Sequence, residues 1–160
     1  MAFYTITIPA TSKSRYLSGL SALNLPSLAG TGDWHMTETF FIPRKKRSLS
    51  FICGDGCAVN TNDIFSDAGI YDCTEILDKL RIRHESIIAY AASHARAIVD
   101  LLVGAIVRCQ RTDHVVLEDW MPGKENSKEV HDLLSMTAGH LTTEQDKALQ
   151  NWLVKNAVQP

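Results

Sequence analysis

The residues with the clearest chemical capability lie together in Gly30-Thr31-Gly32-Asp33-Trp34-His35. Glycine gives the backbone access to positive φ, so this loop can turn tightly and point its amides at a partner. Trp34 supplies a large apolar face, and His35 supplies an imidazole that titrates near neutral pH. The pattern favours a recognition loop with Asp33, Trp34 and His35 as contact residues. The alternative is that Trp34 packs at the edge of the core.

A second group of polar residues has helical spacing. Arg96 and Asp100 are i, i+4 neighbours, a spacing that predicts an ion pair on the polar side of a helix, and His94 falls at the edge of the apolar stripe. One interpretation is a boundary histidine beside an exposed ion pair. The other is that His94 and Arg96 line a groove facing the Trp34 loop, which would place all of these residues on one functional surface.

Arg108 and His114 have a spacing similar to the Arg-x4–6-His pattern of the HEPN ribonuclease superfamily. That resemblance implies a histidine general base working with an arginine that faces the phosphate. Two features depart from that family: Cys109 replaces the polar residue that follows the arginine, and the family is all-helical whereas the first third of this chain has strand patterns. A histidine-dependent RNA-cleaving or other hydrolytic enzyme, using His35, His94 or His114, is therefore the alternative function.

A concentrated basic segment, Arg44-Lys45-Lys46-Arg47, is predicted to form the tip of a hairpin. Four cations in a row can contact phosphates or an acidic protein surface, and such exposed contacts weaken with salt. The alternative is a solvated turn that discourages edge-to-edge aggregation. No aromatic residue interrupts the segment, which argues against binding of single-stranded nucleic acid.

Composition places the chain among ordinary soluble proteins. Its 160 residues are 45% hydrophobic and 21% charged, enough for one domain with one core. The net charge of −2 gives no overall attraction to nucleic acid or membrane. We expect a cytoplasmic protein, because the sequence after Met1 has neither a charged n-region nor a long apolar core.

The cysteines and the glycine pairs do not form a recognisable cofactor site. Cys53 and Cys57 have a spacing that zinc permits, but no second close pair follows, so reduced thiols are favoured and no metal or cofactor is expected. The sequence contains no Walker loop, no dinucleotide fingerprint and no nucleophile elbow. Without these motifs, a binding protein is favoured over an enzyme.

Strand patterns dominate the first third of the chain. Phe3–Ile8 alternates apolar residues with threonine, and Thr37–Ile42 and Ser48–Cys53 are predicted to form an antiparallel hairpin. Between them, Leu17, Leu20 and Leu23 indicate a short helix within residues 12–28.

Helical patterns dominate the remainder. Asp72-Cys73-Thr74-Glu75 predicts a capped helix to about Leu80, and residues 85–110 predict a long apolar central helix. Two more helices are expected, from Glu125 or Ser127 to about Met136 and from Thr143 to about Lys155. Strands followed by helices predict a single α+β domain over residues 1–160, β-rich at 1–58 and helical at 65–156. A small antiparallel sheet from the N-terminal third would pack on the long helix.

Four segments give a family resemblance: Gly30–His35, Val59–Asn62, Gly69–Leu77 and Ser93–Leu101. Over residues 30–101 the chain resembles small bacterial proteins found beside nucleotidyltransferase-type toxins. The resemblance implies an antitoxin or an accessory component of a toxin–antitoxin or phage-defence module. It also implies a shared protein-binding surface of Trp34, His35, Asn62, His94 and Arg96.

The sequence therefore predicts a non-enzymatic binding protein that masks another protein. An aromatic loop hinged by glycines suits this role, because buried Trp and Arg side chains often anchor interfaces. Nucleic acid is a second partner class that the net charge does not indicate.

Overall fold

The computed structural model describes residues 4–32, 40–42 and 52–158. Six strands and seven helices lie within these ranges. In chain order they are β1 (Tyr4–Thr5), β2 (Arg15–Leu17), α1 (Gly19–Leu23), β3 (Phe41–Ile42), β4 (Ile52–Gly54), α2 (Asn62–Phe65), β5 (Ile70–Asp72), α3 (Thr74–Lys79), β6 (Tyr90–Ala92), α4 (His94–Val107), α5 (Leu117–Trp120), α6 (Lys124–Ser135) and α7 (Thr143–Lys155).

A four-stranded sheet with the order β4-β2-β6-β5 forms the centre of the domain. β2 and β6 are parallel, with Leu17 opposite Ala91, whereas the two outer pairs are antiparallel. The α+β class is confirmed. The sheet differs from the expected one in being mixed, and it takes β5 and β6 from the middle of the chain.

The predicted hairpin between residues 37–42 and 48–53 is wrong in the residues that the structure describes. β3 pairs with β1 in a separate two-stranded sheet, and β4 pairs with β2. Leu17, which had been assigned to a helix, lies in β2, and the short helix α1 begins two residues later. The spacing of Leu17, Leu20 and Leu23 fits a helix. Tyr16 and Leu17 are nevertheless consecutive residues of a strand, and both are buried because the sheet is covered on both faces.

Both faces of the sheet are covered. Tyr16 and Ala92 belong to a core that contains α4, while their neighbours Leu17 and Ala91 belong to a second core with α3. Successive strand residues point to opposite faces, so these neighbours serve different layers.

The long central helix α4 begins at His94, nine residues later than predicted. Ser93 caps it, because its hydroxyl accepts a hydrogen bond of 3.2 Å from the Arg96 amide. Residues 90–92 form β6 instead, and Ile88 is 47% exposed. Alanines fit helical and strand periods equally well, so the apolar pattern of Ala91 and Ala92 did not show where the strand ended.

α4 has no solvent-facing polar side. All of its residues except Leu101 and Val107 are buried, because the helix packs against α1, α6, α7 and β6. The prediction that Arg96 and Asp100 lie on an exposed face is therefore wrong.

The remaining predicted helices are present, but the capping box predicted from Asp72 to Glu75 is wrong, because Cys73 is the N-cap of α3 and its side chain forms no capping hydrogen bond. α3 begins where the Asp72 carboxylate accepts a hydrogen bond of 2.9 Å from the Thr74 amide. α6 covers residues 124–135. α7 begins with the expected capping box, in which the side chains of Thr142 and Gln145 each bond to the other's backbone.

Candidate binding cleft at the beginning of helix α4

His94 joins the beginning of α4 to the loop that follows α1. Its Nε2 lies 2.7 Å from the Leu25 carbonyl oxygen, and its Nδ1 lies 2.7 Å from the Thr31 hydroxyl. A carbonyl can only accept, so Nε2 carries the hydrogen. Burial lowers the pKa of His94, against the opposing effect of the Leu25 carbonyl. The ring is therefore neutral at neutral pH, and Nδ1 accepts a hydrogen bond from Thr31.

Gly32 allows this loop to approach His94 closely. Its φ is +113°, and a Cβ there would collide with the Leu23 carbonyl oxygen and lie 2.6 Å from the His94 Cε1. The Gly32 amide also donates a hydrogen bond of 2.7 Å to the Trp120 carbonyl. Gly32, which was predicted to let a recognition loop turn tightly, therefore holds this part of the chain against His94 and Trp120.

An open cleft of about 900 Å³ lies between this loop and two helices. It is lined by residues 26–29 and 31, by α3 with the end of β5, by residues 93–95, and by Met121 with one side of α6. His94 is thus the buried polar group that holds one wall of the cleft to the beginning of α4.

The lining combines apolar surface with negative charge. Tyr71, Ile76 and Leu80 are half-buried, and the Leu28 side chain is fully exposed. Among the described residues, the charged groups that line the cleft are Asp72, Glu75, Lys79 and Glu129. Hydrogen bonds from Thr74 lower the pKa of Asp72, so its carboxylate remains ionised at neutral pH.

Arg96 lies two residues after His94 but belongs to a closed network inside the core. Its Nε lies 3.0 Å from the Asp100 Oδ1, and both side chains are completely buried. One terminal nitrogen donates to the carbonyls of Ser66 and Ala68, and the other donates to the hydroxyls of Tyr16 and Thr61. All five N–H donors of the guanidinium are therefore used.

Asp100 is saturated in the same way. Its Oδ2 accepts hydrogen bonds from Tyr16 at 2.9 Å and Ser18 at 2.7 Å, and its Oδ1 accepts one from Thr61 at 2.6 Å in addition to that from Arg96. Burial, with the Asp100 charge, raises the pKa of Tyr16. This network has no free donor to offer a substrate, and it stabilises the packing of α4 on the sheet.

The structure separates the predicted site residues that it describes. Of these, only His94 lines the cleft, and the expectation that Arg96 lines a groove is wrong because Arg96 is fully buried. Asn62 is also not a free surface group, because its Nδ2 donates to the Ser14 carbonyl at 2.8 Å and to the Asp55 carboxylate at 3.1 Å. The predicted contact residues Asp33, Trp34 and His35 lie outside the described residues, as do Arg44, Lys45, Lys46 and Arg47.

The Arg108 and His114 pair lies after α4. Arg108 is the C-cap of that helix, and both side chains are exposed. The HEPN-type function stays a prediction.

Sequence reasoning missed the residues that form the cleft and the network. Leu28 stands alone between Pro26 and Gly30, with no periodic neighbour, so its pattern gave no signal. Tyr16 and Ser18 come from one segment and Thr61 from another, and only the fold brings them to Asp100. An arginine and an aspartate four apart within a run of apolar residues could have suggested a buried pair.

No family model, no curated protein and no solved structure matches the chain.

All four cysteines are free thiols. Among residues 4–32, 40–42 and 52–158, no three His, Cys, Asp or Glu side chains are grouped as a metal site would require. Within the same residues, no helix has the length and apolar character needed to cross a bilayer.

Proposed function

We propose that the protein is a cytoplasmic, non-enzymatic binding protein that masks a partner protein. It would act as an antitoxin or as an accessory component of a bacterial toxin–antitoxin or phage-defence module. The observation that carries the proposal is the open cleft of about 900 Å³, which is lined by the fully exposed Leu28 and by half-buried Tyr71 and Ile76. Apolar side chains that converge on one concavity are typical of binding sites.

The polar chemistry around the cleft supports a binding role. His94 uses both ring nitrogens to hold the Leu25–Thr31 loop, and Arg96 uses all its N–H groups inside the core. The His94 hydrogen bonds keep one wall of the cleft in position before a partner arrives, which lowers the entropic cost of association, and the Arg96 network holds the helix that carries His94. The resemblance of residues 30–101 to proteins found beside nucleotidyltransferase-type toxins supports a protein as that partner.

The proposal is tested with Leu28→Asp. Tagged wild-type protein, expressed in its native host, should co-purify with a partner in fixed stoichiometry, and it should suppress the activity or toxicity of that partner when the two are recombined. Leu28→Asp should lose complex formation, because a carboxylate would replace an apolar contact, while its melting temperature should stay unchanged since Leu28 is exposed.

Val154→Asp is the matched control. Val154 is also an exposed aliphatic residue, but it lies on α7 and does not line the cleft. It should keep the partner and its suppression. Equal binding of the partner by both variants would show that the cleft is not the binding site. Failure of the wild-type protein to form any stoichiometric complex would overturn the masking function.

A further inference from the structure

The cleft has an apolar surface with acidic groups on two different elements. Glu75 is exposed in the first turn of α3, and Glu129 is exposed on α6. Asp72 adds a third carboxylate, whose lowered pKa keeps it charged. Lys79, in the last turn of α3, is the cation that lines the cleft in the described part of the chain. The lining is therefore negative at one end of α3 and positive at the other.

The size of the cleft fits a polypeptide segment. An α-helix with its side chains is about 10–12 Å across and rises 1.5 Å per residue, so two turns occupy roughly 800–1200 Å³. A volume of about 900 Å³ therefore matches about two helical turns. One side of such a helix would cover Leu28 and Ile76, which both line the cleft.

We propose that the cleft takes a cationic amphipathic helix of the partner protein. Its apolar side would pack on Leu28, Tyr71 and Ile76, and its lysine or arginine side chains would face Glu75 and Glu129. Helices of this kind bind grooves through apolar residues at i, i+3, i+4 and i+7, with charged neighbours setting specificity. The inference rests on the proposed function in one respect, since it assumes that the natural occupant is part of a protein.

Charge complementarity is local in this molecule. The net charge of the chain is only −2, so the whole protein gives little long-range attraction to a cation. The acidic lining acts within a Debye length, which is about 10 Å at 0.1 M salt. Binding of a cationic helix should accordingly depend on the cleft carboxylates and weaken as salt is added.

The test uses two synthetic, fluorescein-labelled peptides of about 14 residues, long enough for roughly four helical turns. Both carry leucine at i, i+3, i+4 and i+7, one with lysine and the other with glutamate at the remaining positions. Fluorescence anisotropy with the full chain, at about 50 mM and about 300 mM salt, gives each Kd. The lysine peptide should bind at least about tenfold more tightly than the glutamate peptide at low salt, with the ratio shrinking at high salt.

Variants locate the binding. Glu75→Gln combined with Glu129→Gln should raise the Kd of the lysine peptide about three- to tenfold at low salt, because exposed ion pairs contribute modestly. Glu118→Gln combined with Glu144→Gln changes the net charge equally at exposed positions that do not line the cleft, and it should leave the Kd unchanged. Leu28→Ser should lower the affinity for the lysine peptide, because it removes the apolar contact at an exposed position without adding a charge.

The outcomes separate this inference from the proposed function. Equal affinity for both peptides, no saturable binding of the lysine peptide, or equal effects of the two double variants would each overturn the cationic occupant. The masking function would still stand if Leu28→Asp lost the native partner. Conversely, cleft-dependent binding of the lysine peptide would support the cationic preference even if no native partner were recovered.

Discussion

The first turn of α4 serves two regions of opposite character. Arg96 lies in a network that is closed to solvent and uses all of its donors, whereas His94 lies beside an open cleft whose carboxylates and apolar side chains face solvent. The two residues are only two positions apart. A charged residue in the sequence is therefore not by itself a sign of a functional site. The buried charges of Arg96 and Asp100 hold the helix, whereas the exposed cleft beside His94 is available to a partner.

The largest effect should come from opening the closed network. Arg96→Met leaves the Asp100 carboxylate buried without its cation, so the free energy of unfolding should fall by about 3–5 kcal/mol. Urea denaturation measures the loss. The double variant Arg96→Met with Asp100→Leu should be less destabilised than the sum of the two single variants. Additive losses, or a loss below about 1 kcal/mol for Arg96→Met, would show that the pair does not act as a unit.

The second-largest effect should come from changing Gly32, in the loop that forms one wall of the cleft. Gly32→Ala should destabilise the protein by about 3 kcal/mol or more, because a strained φ and a steric collision each cost about 1–3 kcal/mol. Gly30→Ala is the control: its φ is +68°, but a Cβ there would meet nothing within 4 Å. It should cost only about 1–2 kcal/mol, the usual penalty for a left-handed residue. Similar losses in thermal unfolding would contradict the close approach of Gly32 to His94.

The smallest effect should appear in the pH dependence of stability. The folded-state pKa of His94 is lowered by burial, so the unfolded chain binds more protons and the His94 contribution is lost as pH falls below about 6.5. The pKa of His84 is raised by its hydrogen bond to Asp78, so its contribution is present at low pH and is lost as pH rises through the raised value.

The histidine prediction is checked by urea denaturation across a pH series. His94→Gln should flatten the decrease in stability below about pH 6.5, whereas His84→Gln should remove stability at low pH and so steepen that decrease. If His94→Gln kept the wild-type pH slope, His94 would not be held neutral against the loop.

Sequence reasoning predicted the elements that carry strong local signals. The capping residues Thr142 and Gln145 located α7, because a cap depends on residues only a few positions apart. Asp72 located α3 although it is not the cap, since its carboxylate accepts a hydrogen bond from the first amide of the helix. The beginning of α4 was placed too early since alanines around Ala91 suit a strand as well as a helix. The partner of β4 could not be predicted, because strand pairing depends on residues far apart in the chain.

The candidate site was less accessible to sequence reasoning than the fold. His94 lines the cleft, but Arg96 was predicted to lie on the surface because helical periodicity describes one helix and not the layers around it. Whether a charged residue is buried depends on every element packed against it. Leu28 and Ile76 line the same cleft although they are far apart in the sequence, and no local pattern encodes that arrangement.

The parallel pairing of β2 with β6 has a consequence for how the chain assembles. Residues 15–17 form hydrogen bonds to residues 52–54 on one side and lie beside residues 90–92 on the other. Bringing Leu17 next to Ala91 closes a long loop of chain, which costs conformational entropy before the contacts between the two strands can form. Contacts between residues so far apart in the sequence slow folding. During synthesis, β2 can pair with β6 only after residue 92 has left the ribosome. An early strand of this protein therefore spends much of translation with one edge unpaired, which is a condition that favours association with other chains.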